Sequence, residues 1–477
     1  DGLFTVQLDF GPAFDGSKLW LQIGVRPGDS AGPYTTLTER QELTAAPYAL
    51  YALDVGVNYA GSSSKGGPAL DLTCSGCVNS TDIQNGTILF ADIGQNGCLP
   101  GQVIEWDGAE WSCTNAYLYV RTVIVNPVGT PLQNGTALLD ALKGIPGPSA
   151  SSPYLVKIEP GRYDLGSQTL VMREWVDIEG SGESITAIMA DGSDSPATGT
   201  VVGSDNAELR FLTVANSGGN SYAIAIYNGD ASPTLRQVTA TAAGGTLGNY
   251  GVRNATTTSS SPTMIDVTAT ASGGGTAAGV DNAGSSPTMK DVTATGSGAT
   301  GSNYGIYNDA DSMQMTDVTA IASGGTDAIA VRNCYCSTTM TNVTASASGG
   351  SSSNLAVWNQ HSSATLTNVT ASAQGTGSKG LLNSATTSGT VLVTVDHSRI
   401  SGDIYGLYND PASATNPYTV TVDTSLVNGG TSTISNGLNV TTLVGASQLA
   451  GGTVTGSGFT CAGVYDENYT FSSSTCP

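Results

Sequence analysis

From about residue 117 onward the apolar positions come in short alternating runs separated by Gly- and Ser-rich stretches. The phrases "QVTAT", "DVTAT", "DVTAT", "DVTAI", "NVTAS" and "NVTAS" carry Val238, Val267, Val292, Val318, Val343 and Val369 on one beat, and Leu212 fits one beat earlier. A second beat ends on asparagine: Asn228, Asn254, Asn282, Asn308, Asn333, Asn359, Asn383, Asn409 and Asn436 close phrases such as "AIYN", "GIYN" and "AVWN" at intervals of 24 to 28 residues. Within each phrase the alternation has period two, Val in and Thr out, which predicts strand and not helix. The Gly/Ser runs read as turns.

One such unit cannot bury its own apolar face, but stacked units can. The pattern predicts an all-β chain whose main part, residues 117–477, is a right-handed parallel β-helix of about twelve coils, on the order of 60 Å long at the usual strand spacing. Leucine-rich repeats need a longer leucine signature, and propeller blades need roughly 40 residues per repeat. The asparagine column is expected to stack, amide on amide, and to sit at sharp bends where Asn accepts a left-handed backbone.

Ahead of the repeats lie two other regions. Residues 1–58 read as a small β-domain, with "LFTVQLDF" and "LWLQIGVRP" as strands and Pro27-Gly28 as a break. Residues 59–116 read as a connector. It holds the flexible "GSSSKGGP" and a hairpin, "GQVIEWDGAEWSC", with Asp107-Gly108 at its turn between Trp106 and Trp111.

The segment "YLVKIEPGRYDLGSQTLVMREWVDIEGSGESITAI", residues 154–188, resembles the opening coils of pectin-methylesterase-like and pectate-lyase-like β-helix proteins, through Pro160, Gly161, Tyr163, Ile178, Gly180 and Gly182. The preceding "NGTALLDALKGIP", residues 134–146, is similar to the short helix that caps such solenoids, placed here near 134–143. "RQELTAAPYALYA", residues 40–52, and the Trp106/Trp111 hairpin are similar to segments of secreted bacterial surface proteins of the tail-fibre type. The resemblance implies a secreted, cell-surface protein and specifies no activity.

Composition narrows the partners. Only 11% of residues are charged, and the formal net charge is −22. Without a surplus of Lys and Arg, a nucleic-acid partner is disfavoured. No run of about 18 apolar residues marks a membrane-spanning helix. The opening Asp1-Gly2 reads as a processed or trimmed start. Eight cysteines fall into near neighbours: Cys74 with Cys77, Cys98 with Cys113, Cys334 with Cys336, and Cys461 with Cys476. This suits four local disulfides in an oxidising compartment, although a one-residue spacer strains the Cys334–Cys336 bridge. Zinc held by Cys74, Cys77, Cys98 and Cys113 is the rival reading.

Candidate chemistry is sparse. The aspartate–arginine–glutamine set of the pectin esterases has no counterpart on the middle coils. "VDHSRISG" groups Asp396, His397, Ser398 and Arg399, yet neighbours on a strand face opposite ways, so Asp396 and His397 are not expected to act together. His361 reads as a loop residue. Asp266, Asp291 and Asp317 recur before the valines, continued by Asn342 and Asn368; a bend-forming column is expected, with Ca²⁺ as a weaker alternative and no other cofactor. Asn-x-Ser/Thr sequons occur at Asn79, Asn85, Asn134, Asn254, Asn342, Asn368, Asn439 and Asn468. Tyr227, Tyr307, Trp358 and Tyr408, each one before the asparagine column, are expected to form an outward stripe able to meet glycans.

The leading expectation is a non-enzymatic extracellular filament subunit that polymerises head to tail. An incomplete β-domain at one end and an uncapped solenoid at the other would meet. A glycan-binding spike or adhesin, and a polysaccharide-active lyase, esterase or glycosidase, are the alternatives.

Overall fold

The computed structural model describes residues 5–9, 18–43, 102–106, 111–115, 119–192, 194–256, 260–309, 312–384, 391–410 and 418–477. The chain divides into two units, Asp1–Pro100 and Gly101–Pro477.

In the first unit Leu19–Leu21 pairs antiparallel with Gln41–Leu43, and Gly24–Val25 pairs with Thr35–Thr36. The connecting turn closes with Ser30 N–H donating to Pro27 O at 3.0 Å. Thr5–Asp9, expected as the core of a strand, is exposed and is not part of a strand among the described residues.

In the second unit Gln102–Trp106 and Trp111–Asn115 form the expected antiparallel hairpin, with Trp106 opposite Trp111. The solenoid follows. The chain is an all-β right-handed parallel β-helix of about eleven turns. Each coil contributes to three parallel ladders. The first runs through Arg121–Val125, Tyr154–Ile158, Val176–Glu179 and the leading halves of Glu208–Asn216, Thr234–Ala243 and their successors. The second runs through Gly161–Asp164, Thr186–Ala190 and the trailing halves of those same strands. The third runs through Leu170–Val171, Val201–Val202, Tyr222–Gly229, Gly248–Ala255 and onward.

The apolar beat points inward as the alternation demands: Val238, Val267, Val292, Val318, Val343 and Val369 are all buried in one continuous core. The corner between first and second ladders is a single left-handed residue. Asp266, Asp291, Asp317, Asn342 and Asn368 take φ of 54° to 56°, with His397 at 48° in the same column. Asp and Asn tolerate this conformation because their short polar side chains compensate locally. The bend-forming expectation for this column therefore holds.

The other asparagine column behaves differently from its expectation. None of Asn228 to Asn436 in that series has positive φ. They lie within the third-ladder strands with side chains inward, and Asn228, Asn254, Asn282, Asn308, Asn333, Asn359 and Asn383 are 0% exposed. Each Nδ2 donates to the next coil's Oδ1 at 2.7–2.9 Å. Stacking is correct and bending is not. An amide in a dry core must find a partner, and the identical amide one coil away supplies it.

Each end of the solenoid carries an added element. Helix α1, Pro131–Lys143, starts with Thr130 and Gln133 in a reciprocal capping box and Pro131 in its first turn. It buries Leu138 and Leu142. Gly135 is needed there, because a Cβ would meet the Asp164 backbone. Asn134 accepts from Val128 N and Gly129 N and donates to Arg162 O, tying the helix to the first coils. At the other end, the expected open edge is not what forms. Val464–Tyr465 turns back antiparallel on Phe471–Ser472, and Cys461–Cys476 closes the loop. The head-to-tail reading loses the exposed tail on which it leaned.

Cys334 and Cys336 are free and buried, so the expected bridge between them is absent. Tyr335 between them is left-handed (φ 50°), and the flanking thiols rest on different partners, Cys334 on Gln360 and Cys336 on Thr338 and Ser362. The Cys74–Cys77 and Cys98–Cys113 pairings, and the zinc alternative, fall outside the described residues or on side chains not described.

Candidate functional site: an aromatic and cationic groove

The third-ladder strands are kinked. Gly251, Gly279, Gly305, Gly380 and Gly406, with Ala or Thr in other coils, occupy the kink, where a Cβ on these glycines would press on neighbouring backbone. The outward side chains on either side of the kink lean together. Tyr304 and Tyr307 sit edge to face with ring centroids 5.3 Å apart, and Tyr405 and Tyr408 are 4.7 Å apart. Two outward columns thus frame a shallow groove along the solenoid axis.

One column reads Tyr227, Arg253, Asp281, Tyr307, Arg332, Trp358, Leu382 and Tyr408 in ladder register. The other reads Tyr250, Ala278, Tyr304, Ile329, Leu355, Lys379 and Tyr405. Tyr307, Trp358 and Tyr408 do share a stripe with Tyr227, as the sequence led us to expect. Arg253, Asp281, Arg332 and Leu382 interrupt it, and Tyr227 stands three coils away from Tyr307.

The cations are held by rings. The Arg332 guanidinium lies 4.3 Å from the Trp358 centroid and 5.2 Å from that of Tyr307. It donates to Tyr304 Oη at 3.3 Å and Gln360 Oε1 at 2.7 Å. Lys379 Nζ lies 5.8 Å and 5.5 Å from the Tyr405 and Tyr408 centroids and donates to Gly377 O at 3.3 Å. Burial pushes its pKa down. Trp358 Nε1 donates to Ser384 Oγ at 2.8 Å, which fixes the indole plane. Among the described residues, neither Arg332 nor Lys379 forms an ion pair.

At the groove's N-terminal end Asp281 is 6% exposed. Burial drives its pKa up to about 6 against the opposing pull of Arg253, whose Nε is 3.2 Å away. Arg253 in turn lies 4.7 Å over the Tyr250 ring. A buried carboxyl whose pKa is raised to about 6 beside a groove is suited to proton transfer.

Sequence reasoning missed Tyr304, Tyr405, Arg332, Lys379 and Asp281. The first two were signalled by "YGIY" and "YGLY", where a glycine kink brings residues three apart onto one face. The charged three carry no local signal, because only ladder register brings them onto the stripe.

The other candidates resolve otherwise. His397 Nδ1 is 2.8 Å from Asp396 Oδ1, contrary to the alternation argument, because the left-handed bend at His397 breaks the alternation. The pair is exposed, while Ser398 Oγ is buried, donating to Asp396 O and accepting from Val369 N. Arg399 continues the second ladder opposite Thr370. His361, also left-handed, stacks on Tyr335 at 4.7 Å. In the aspartate column Asn342 Nδ2 donates to Asp317 Oδ1 and Asn368 Nδ2 to Asn342 Oδ1, both at 2.8 Å. Asp266 and Asp291 line a shallow depression with Arg236 and Gln237. Among the described residues no three His, Cys, Asp or Glu side chains converge to hold a metal ion.

A second charged cluster, also missed, lies on the first coils. Arg210 reaches Glu179 at 2.7 Å, Glu208, and Tyr119 Oη at 3.0 Å, while Tyr119 donates to Asp177 at 2.7 Å and Lys157 pairs with Glu179 at 2.6 Å. Burial raises the pKa of Asp177, and burial together with Asp177 raises that of Tyr119. These groups satisfy one another and bind the Tyr119 segment to the first coils.

No protein-family model matches the sequence, and no curated protein matches it. Solved structures do. The A-module of Azotobacter vinelandii mannuronan C-5 epimerase AlgE6 is 16% identical over 69% of this chain and 95% of that one, with a TM-score of 0.45. The enzymatically active domain of bacteriophage CBA120 tailspike protein 2 is 11% identical over 76% and 51%, at 0.41. Pectate lyase Pel9A is 15% identical over 72% and 78%, at 0.36. The likeness is one of fold. The expectation of a non-enzyme is corrected: the solved structures that this chain resembles are described as an epimerase, a pectate lyase and an enzymatically active tailspike domain.

Proposed function

We propose that this solenoid recognises an extended polysaccharide along the groove of its third ladder, outside the cell. The observation that carries the reading is the Tyr307–Arg332–Trp358 stack with Lys379 beside it. The outward rings offer apolar surface to a sugar, and ring-held cations offer donors to its hydroxyl or acidic groups. The Cys461–Cys476 disulfide supports an oxidising compartment. No helix among the described residues is long and apolar enough to cross a membrane.

The test is affinity electrophoresis of the protein through gels containing neutral and acidic polysaccharides. Retardation by at least one polymer is expected, with Trp358→Ala reducing it at least tenfold while the melting temperature holds. Free migration in every gel would overturn the reading.

A second, catalytic reading draws on Asp281. Its carboxyl, poised near pH 6 beside Arg253, is where a proton would be given to or taken from a bound sugar. Incubation with the retained polymer should release new reducing or unsaturated ends, or change the polymer's sugar composition, and Asp281→Asn should abolish the change. Unaltered polymer after prolonged incubation would sink this reading and leave recognition standing.

A further inference from the structure

From Tyr307 to Tyr408 the stripe has a two-coil period. Aromatic side chains stand at Tyr307, Trp358 and Tyr408, on every second coil, and the intervening coils present the cations Arg332 and Lys379. Coils rise by about 4.8 Å, so like follows like every ~9.6 Å. A pyranose ring in an extended chain advances by nearly one coil, so two rings span one period of the stripe.

Charge points the same way. The chain has 16 Lys and Arg against 38 Asp and Glu. Arg210, Arg236 and Arg253 pair with carboxylates. Arg332 and Lys379 instead stand over rings and, among the described residues, face no carboxylate within ion-pair distance. Arg332 Nε is buried without an acceptor. The desolvation that depresses the Lys379 pKa is offset once an anion arrives.

We infer that the ligand is an acidic heteropolysaccharide with an alternating disaccharide repeat, one neutral sugar and one carboxylate- or sulfate-bearing sugar, lying along the solenoid axis. Neutral rings stack on Tyr307, Trp358 and Tyr408. Acidic groups fall on Arg332 and Lys379, a disaccharide apart. A homopolymer of uronates would set every second carboxylate on an aromatic face, where it loses water and gains no donor. A neutral polymer would leave both cations unpaired. The inference rests on the polysaccharide reading above.

The test compares binding of the full chain, by calorimetry, to hyaluronan or chondroitin as alternating acidic polymers, to polygalacturonate and alginate as uronate homopolymers, and to a neutral glucan. The alternating polymers are expected to bind at least tenfold tighter than either other class. Arg332→Gln and Lys379→Gln should each weaken that binding about tenfold and flatten its salt dependence. Equal or tighter binding of a homopolymer or the glucan overturns the alternation and leaves the groove as a polysaccharide site. Binding to none of the polymers overturns both. The wild-type comparison decides between classes even if a variant folds poorly.

Discussion

The second and third ladders belong to the same coils and face solvent in opposite manners. On the second, Thr213, Thr239, Thr268, Thr293, Thr319, Thr344 and Thr370 stand in unbroken register, one small hydroxyl per coil. On the third, the equivalent outward position changes from Tyr to Arg to Asp to Tyr to Arg to Trp. Uniformity costs a repeat nothing, since each β-branched residue packs against its copy. Departure from uniformity puts large, ring-held and charged groups where the inner core does not require them. The inner sides show the reverse: the second ladder packs Val and Ala, while the third carries the asparagine ladder. The coil keeps its most exacting internal contact directly behind its most variable outer face.

That contrast can be broken at graded cost. On the second ladder, Val292 is 1% exposed and Thr293 faces out. Val292→Asp should lower stability by roughly 4 kcal/mol or more by burying an unpaired charge, and Thr293→Asp by under about 0.5. Equal shifts in a denaturant titration would mean that the inside and outside assignments are wrong.

The third ladder's inner side should be nearly as sensitive. Asn333→Leu leaves Asn308 Nδ2 and Asn359 Oδ1 without their partners, at a cost of about 3 kcal/mol. A neutral result would show that the ladder is ornamental to stability.

On its outer side, Asp281 is shifted upward to about 6 by burial. A carboxyl with a raised native pKa holds its proton in the folded state after the unfolded chain has released it. Its contribution is therefore greatest below about pH 4 and declines as pH rises to about 6, by on the order of 3 kcal/mol. Asp281→Asn lacks this decline, so the stability difference between the two proteins should drift across that window in chemical denaturation. A constant difference would place the Asp281 pKa at its ordinary value.

The smallest effect belongs to the outer threonines. Thr344→Ala should change stability by no more than about 0.5 kcal/mol and polysaccharide binding not at all, whereas Trp358→Ala changes binding and little else. If both substitutions weakened binding alike, the contrast between the two faces would have no functional content.

Periodicity alone determined the architecture. Val292 and its copies recur with period two inside a longer period, and only stacked coils bury such a pattern. The left-handed role of Asp266, Asp291 and Asp317 was legible because residue type and backbone preference coincide at a bend. Local chemistry could not reveal what depends on register across coils. That Asn308 turns inward to an amide 25 residues away, that Arg332 is sandwiched between Tyr307 and Trp358, and that Cys334 and Cys336 rest on different partners all follow from which residue lies above which. His397 meets Asp396 for the complementary reason: a one-residue change of backbone sign overrides alternation. Alternation is a property of a strand and can be read along the chain, but the groove is a property of the stack. Its residues become neighbours only when the coil rise, and not the sequence interval, sets their distance.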